Sequence, residues 1–335
     1  MQPKQPTTNQ EKILWIERDD NNFTSIETLP AEFLSMAFPY AKVYFRQDED
    51  CDTLSQNIKL PGFSIWCHDI FALNDIILAP KTPHQILALH FMVADGIVAD
   101  IFNRGEFLLG EKEVNLFNLH AAFHTAPVKA GNQICSFHIN ILPAALPDLI
   151  KQYPALQHLS TFEIGMVSGP LNKSPYKISA ACKELITAII NCRFIEDQAK
   201  FFLRRCCADL YINFACQDRL SGVTNKMSPA TKETLKEIFD HLVENVQEVF
   251  NIQRLAYLYE LQITELNTGF EQLFFITPEA FAHQQKMMTA YRLITTTKER
   301  LGAIATETGF DNWHALKKAF EAYYGCTPAS IRHAQ

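Results

Sequence analysis

Trp313, His314, Lys317 and Lys318 carry, within one short stretch, the side chains needed to engage a polyanion with hydrogen-bonding edges. The lysines offer point charges for phosphate, the imidazole a donor or acceptor, and the indole a flat apolar face. That set suits the major groove of a DNA duplex. Upstream, Thr264, Asn267 and Thr268 offer two hydroxyls and an amide, and a side-chain amide can pair with N6 and N7 of adenine. Two plainer readings stand beside these: a lysine pair is often only a solvated face, and Trp313 could pack in a core.

Both groups sit on elements that the apolar spacing defines. Leu301, Ile304 and Ala305 form a helical stripe, Thr308-Gly309-Phe310 a turn, and Leu316, Ala319, Phe320 and Tyr323 resume the stripe. The spacing predicts a helix-turn-helix within Thr297 to Arg332, closed by Gly325-Cys326-Thr327-Pro328. A second copy lies upstream. Ile252, Leu255, Ala256 and Leu258 give a short helix, Glu260-Leu261-Gln262 a turn, and Ile263, Leu266, Phe270, Leu273 and Phe274 the buried side of the next helix. Thr264, Asn267, Thr268 and Glu271 are left pointing outward. An amphipathic run from Pro278 to Ile294 joins the copies, with Pro278 placed where its missing donor costs nothing.

This pattern resembles the AraC/XylS transcription regulators. The likeness covers roughly Ile238 to Arg332 without gaps. It rests on Leu255-Ala256, Leu261, Leu266, Phe270, Thr277-Pro278 and Ala290, then on Ile304-Ala305, Gly309-Phe310, Leu316, Phe320, Gly325, Thr327-Pro328 and Arg332. Leu266-Asn267-Thr268-Gly269-Phe270-Glu271-Gln272-Leu273-Phe274 is similar to a run in the siderophore-responsive, pyochelin-regulator-like branch. The resemblance implies two helix-turn-helix units on double-stranded DNA, a cupin-like sensor for a small-molecule effector, a homodimer, and RNA polymerase as a further partner. The chain departs from the family at Gln262, where a capping serine is usual, and at Thr268, where a basic residue is common. Phe275 replaces a glycine, and Lys286-Met287 replaces Arg-Leu. Losing the serine cap should cost about 1 kcal/mol.

Charge cuts against strong phosphate binding. Residues 231–335 carry ten Lys plus Arg against thirteen Asp plus Glu, a net of −3 within a chain total of −7. Such a domain needs its cations gathered on one face, and Lys317, Lys318, Arg332, Lys286 and Lys298 are the candidates. Arg332 also fits a structural clamp. The expectation is moderate affinity, strong salt dependence and reliance on dimerisation.

The remaining organisation is that of an α+β multidomain protein: a β-rich sensor domain that reads as an antiparallel sandwich or barrel and that the resemblance implies is cupin-like, a helical pair and an all-α double helix-turn-helix C-terminal domain. Residues 1–30 read as a loosely held polar arm and 31–170 as the sensor. Its strands are expected at 42–45, 63–66, 86–91, 98–102, 114–117 and 134–139, with turns at Asp95-Gly96, Arg104-Gly105, Leu109-Gly110 and Gly131-Asn132. A helix is expected near Leu146 to Tyr153. Residues 174–217 form the helical dimerisation pair, with the plainer alternative that the pair only covers the sheet. Residues 218–228 read as a linker and 229–335 as the DNA-binding domain. No apolar stretch reaches 18 residues and the opening lacks a signal-peptide core, so a cytoplasmic protein without membrane contact is expected.

Other chemistry is sparse. Gly-x-Ser-x-Gly, Gly-x-x-x-x-Gly-Lys and Gly-x-Gly-x-x-Gly are absent, so no catalytic residue, enzyme activity or cofactor is expected. His120, His124 and His138 invite a metal reading, but ordinary histidines are the expectation and no metal is assigned. The nine cysteines are odd in number and lack a C-x-x-C, which fits reduced thiols. Cys206-Cys207, between Arg204-Arg205 and an apolar stripe, reads as buried core before redox sensor. The alternative function is a ligand-binding or protein-interaction module whose DNA-binding domain has decayed.

Overall fold

A computed structural model describes residues 15–18, 24–26, 29–120, 124–222 and 227–332, which divide into two compact units, Met1–Ile178 and Ser179–Gln335. The first is built from strands β1 (Trp15–Arg18), β2 (Thr24–Ile26), β3 (Lys42–Gln47), β4 (Cys51–Leu60), β5 (Phe63–Ala72), β6 (Ile76–Lys81) and β7 (Ile86–Ala94). There follow β8 (Ile97–Ile101), β9 (Gly105–Leu109), β10 (Glu113–Leu119), β11 (Ala126–Val128), β12 (Gln133–Ile141), helix α1 (Leu146–Gln152), β13 (Gly169–Pro170) and β14 (Tyr176–Lys177). The large antiparallel sheet runs β13-β10-β7-β12-β5-β4-β3-β2, with β14 also on β10; β1-β6-β11 and the β8-β9 hairpin form two smaller sheets. The polar arm is therefore partly strand, since Trp15–Arg18 pairs with β6 and Thr24–Ile26 with β3; its other residues up to 28 lie outside the described ones.

Alternation gives the large sheet two different faces. One packs Phe45, Leu54 and Phe71 on Phe33 of the 3-10 turn Ala31–Met36, with the Phe33 and Phe45 rings 4.7 Å apart. The other carries Ser55, Trp66, His68, His138 and Asn140, all buried. The expected strands and turns are present. Besides the two strands of the arm, β4, β6, β9, β11, β13 and β14 lie outside the expected set, and β4 is the most instructive: Thr53, Ser55, Gln56 and Asn57 are buried although the segment reads as polar. Its polar groups are held internally, as where Gln56 accepts from the Phe38 N–H at 2.7 Å and Asn57 donates to the Ile65 carbonyl at 3.0 Å.

The second unit holds α2 (Ala180–Ile190), α3 (Glu196–Leu220), α4 (Pro229–Glu244), α5 (Ile252–Leu258), α6 (Ile263–Phe274), α7 (Pro278–Thr296), α8 (Leu301–Glu307), α9 (Trp313–Tyr324) and α10 (Pro328–Arg332). Ser179 caps α2, Ser228 α4 and Thr277 α7, each accepting a backbone N–H. α3 outruns the expected end at 217, and residues 223–226 of the expected linker lie outside the described ones. Phe239, Phe270, Phe274 and Phe281 centre the core of the first helical copy, with ring centroids 4.3–6.3 Å apart. Tyr291, Phe320 and Tyr324 centre that of the second.

α3 joins both cores along one face, because Arg205, Asp209 and Asn213 are four residues apart. Asn213 donates to the Phe274 and Phe275 carbonyls at 2.8 and 3.2 Å. Asp209 accepts from the Tyr323 hydroxyl at 2.5 Å and from Arg205, whose guanidinium lies 3.7 Å over the Tyr323 ring. Of the apolar stripes expected to dimerise, Cys182, Leu185, Ile186, Ile189, Leu203 and Cys206 are buried within the chain, while Ile178 and Ile190 are half-buried. Cys206 and Cys207 are core residues whose thiols burial pushes well above their usual range. Among the described residues no helix is long and apolar enough to cross a membrane.

Candidate functional site

α6 and α9 are equivalent at an offset of fifty: Thr264 matches His314, Asn267 matches Lys317, Thr268 matches Lys318, and the framework pairs are Leu266 with Leu316 and Phe270 with Phe320. The framework residues are buried, whereas Thr264, Asn267, Thr268, Trp313, His314 and Lys318 are exposed and Lys317 half-buried. All seven predicted residues therefore fall on two corresponding helix faces. Trp313 is not core: it is 37 % exposed, as is its counterpart Ile263 at 40 %. Its ring centroid lies 4.2 Å from that of His314, and the Lys317 ammonium lies 5.8 Å from it. Lys317 also approaches Glu321 at 3.7 Å, a surface pair that holds it weakly. The Thr268 hydroxyl donates to the Thr264 carbonyl at 2.7 Å, which leaves its oxygen as an acceptor.

Two residues expected on the outer face turn inward. Glu271 is half-buried and paired with Arg219 of α3 at 2.9 Å, so its charge is neutralised within the unit. Lys286 is 8 % exposed and donates to the Gly309 carbonyl at 3.3 Å, serving the second turn; burial lowers its pKa. Arg332 donates to the Glu299 carbonyl and ties α10 to the segment before α8. Sequence spacing cannot reveal these partners, because they come from other segments: α3, the turn after α8 and the stretch before it.

The turns differ in kind. In the second copy Gly309 and Gly325 supply the left-handed positions, at φ +70° and +73°. In the first copy the same positions are Glu260 and Phe275, at +53° and +56°. Asn312 caps α9 by accepting from the Ala315 N–H at 3.0 Å, whereas Gln262 makes no side-chain cap on α6. Gly269, the glycine of the run likened to the siderophore-responsive branch, has a packing role: a Cβ there would lie 2.8 Å from Leu235 Cδ1.

The first unit holds a separate site. A cavity of about 110 Å3 lies against the polar sheet face, lined by apolar residues from Ile70 to Ile134 and by His90, His124, His138 and Ser136. Trp66, His68, His138 and His90 stack across the sheet with centroids 5.2–6.0 Å apart. Burial lowers His68 to about 3 and His90 to about 4 and, with help from its two neighbours, holds His138 well below its usual range, so all three are neutral at pH 7. His124 accepts from the Phe102 N–H at Nδ1, 3.1 Å away, which places the proton of the neutral ring on Nε2. Among the described residues, His124 Nε2, His90 Nδ1, His68 Nε2 and Trp66 Nε1 are buried without hydrogen-bond partners. His120 instead meets the Gly165 carbonyl at 2.7 Å, so the three histidines weighed as a metal set are not brought together.

A tandem helix-turn-helix domain is thus the class that fold and site define, and comparison with known proteins agrees. The family described as "Helix-turn-helix domain" matches residues 255–334. The virulence regulon transcriptional activator VirF of Yersinia enterocolitica and the thermoregulatory protein LcrF of Yersinia pestis are each 24 % identical over 89 residues, 27 % of this chain. The match spans 33 % of those relatives' length. Among solved structures, the DNA-binding domain of AdpA in complex with a target DNA is 26 % identical, covering 30 % of this chain and 91 % of that one at a TM-score of 0.29. ToxT of Vibrio cholerae is 8 % identical, covering 81 % and 98 % at a TM-score of 0.30. The C-terminal domain is a helix-turn-helix domain.

Proposed function

We propose that the chain is a sequence-specific DNA-binding transcription regulator, acting as a homodimer and responding to a small molecule held in the first unit. The observation that carries the DNA part is the repeat of exposed residues at one offset on α6 and α9, joined by α7. That helix has 19 residues and is about 28 Å long. One turn of duplex is about 34 Å, so neighbouring major-groove segments are within its reach. Base contacts are assigned to Asn267, Trp313 and His314, and phosphate contacts to Thr264, Thr268, Lys317 and Lys318. An anisotropy titration against the DNA upstream of the chain's own gene, at two salt concentrations and with random competitor, tests this. The acidic balance of residues 231–335 favours the second reading, an interaction module, and equal affinity for upstream and random DNA would select it.

The cavity supports an effector that is uncharged and mostly apolar. Among the described residues no Lys, Arg, Asp or Glu lines it, and the Phe102 N–H fixes His124 Nε2–H as a donor. An acceptor oxygen on a small apolar body would meet that N–H, in a cavity close in size to one that holds a benzene ring. A cupin-like role for the sheet and a place in the siderophore-responsive branch are not needed for this assignment. Acetophenone should raise the melting temperature of the full chain and benzoate should not; the reverse order, or no difference, overturns it.

A further inference from the structure

The face of the large sheet turned away from the cavity holds a cluster that the regulator reading does not use. Cys67 and Asp69 are two apart on β5 and so share a face, and Cys135 of β12 sits directly opposite Asp69. One sulfur from each cysteine and one oxygen from Asp69 all lie within 4.8 Å of one another, with Cys67 Sγ 3.8 Å from the carboxylate. We propose that Cys67, Asp69 and Cys135 form a site for a thiophilic divalent cation, zinc being the best match.

Geometry is the first argument. Tetrahedral zinc with bonds of about 2.3 Å to sulfur and about 2.0 Å to oxygen sets its ligands roughly 3.5–3.8 Å apart, so the trio needs only a small contraction. Two thiolates and one carboxylate suit zinc, while magnesium and calcium prefer all-oxygen sets. Three protein ligands leave the fourth position for water.

Burial is the second. Asp69 is 5 % exposed and Cys67 3 %. Among the described residues no Lys, Arg or His lies within ion-pair distance of Asp69, and the residues opposite these groups on the neighbouring strands include Leu54, Phe137 and Ala94. A buried carboxylate without a cation is costly, and a bound ion would offset that cost. A bound dication favours the charged forms: two thiols release their protons and the carboxylate stays ionised.

The third argument is local. The pairing of β12 with β7 shifts register between Cys135 and Ser136, and such irregularities re-aim side chains next to sites. Cys135 is also the half-buried member, which gives an ion its route in.

The test uses the full chain, reduced and stripped with chelator, then dialysed against Zn2+ for metal counting and titrated with Co2+ for its thiolate charge-transfer absorption. One equivalent should bind at micromolar metal. The Cys67→Ser/Cys135→Ser variant should lose both the equivalent and the absorption. Asp69→Asn, which keeps volume and both thiols, should weaken binding by about tenfold or more, and it decides the matter if the double variant fails to fold. Cys216→Ser, which alters one of the other seven cysteines, should change nothing. A wild-type chain that takes up neither metal, or unchanged binding in Asp69→Asn, overturns the proposal.

Discussion

The two helix-turn-helix copies differ most where their backbones turn. The downstream copy uses glycine at both left-handed positions and an asparagine cap. The upstream copy puts Glu260 and Phe275 in the same conformation and starts α6 without a side-chain cap. A non-glycine residue there costs roughly 1–2 kcal/mol. The upstream copy recovers stability from outside itself: Asn213 of α3 satisfies the carbonyls at the end of α6, and Arg219 pairs with Glu271. One copy is stabilised by its own turn chemistry, the other by a neighbouring helix. Their outer faces differ in parallel, cationic and aromatic downstream, neutral upstream.

The largest expected effect is at Gly309. A Cβ there would fall 2.5 Å from Lys286 Nζ and 2.7 Å from the Gln247 carbonyl oxygen, at a φ of +70°. Gly309→Ala should cost about 2–4 kcal/mol in denaturant unfolding, while Glu260→Gly should stabilise by about 1 kcal/mol. Effects of one sign at both positions would break the comparison. Next comes Asn213→Ala, which leaves one buried and one part-buried carbonyl without their donor and should cost about 1–3 kcal/mol. Adding Phe275→Gly should return part of that, and a mutant cycle measures how much.

On DNA, Lys317→Ala/Lys318→Ala should weaken binding roughly tenfold, about 1.4 kcal/mol, and lower the salt slope by about one for each phosphate no longer neutralised. Thr264→Ala/Thr268→Ala should leave the slope unchanged, because neither hydroxyl carries charge. A folded lysine variant with an unaltered slope would remove these side chains from the interface. The smallest expected effect is at the missing cap, where Gln262→Ser should raise stability by about 0.5–1 kcal/mol. No gain would show that the start of α6 is satisfied in another way.

The sequence made the helical copies legible because apolar spacing, turn residues and Thr-Pro starts agree over a gap-free stretch; it also located the outward positions, since helical phase alone sets them. It misplaced Glu271 and Lys286, whose partners Arg219 and Gly309 are 52 and 23 residues away. In the sheet, segments rich in β-branched and aromatic residues were readable, but β4 was not: its buried face is polar, and the hydrogen bonds that make such burial tolerable form only across strands. The same holds for Cys67, Asp69 and Cys135. A Cys-x-Asp run on one strand becomes a cluster only when register brings a distant cysteine opposite the acid.

The row Arg205, Asp209, Asn213 on α3 has a consequence for any duplex the domain meets. One end of the row grips Tyr323 of α9, the other the last turn of α6, so the two sets of outward side chains are clamped at one separation and one relative angle by folding itself. Tandem modules on a slack tether adapt to variable gaps. A braced pair acts as a caliper. Each base pair inserted between the two segments it grips would swing one of them by about 34° around the duplex axis. The domain should accordingly recognise phase as strictly as sequence, and a two- or three-base insertion should abolish simultaneous engagement even with every recognised base intact.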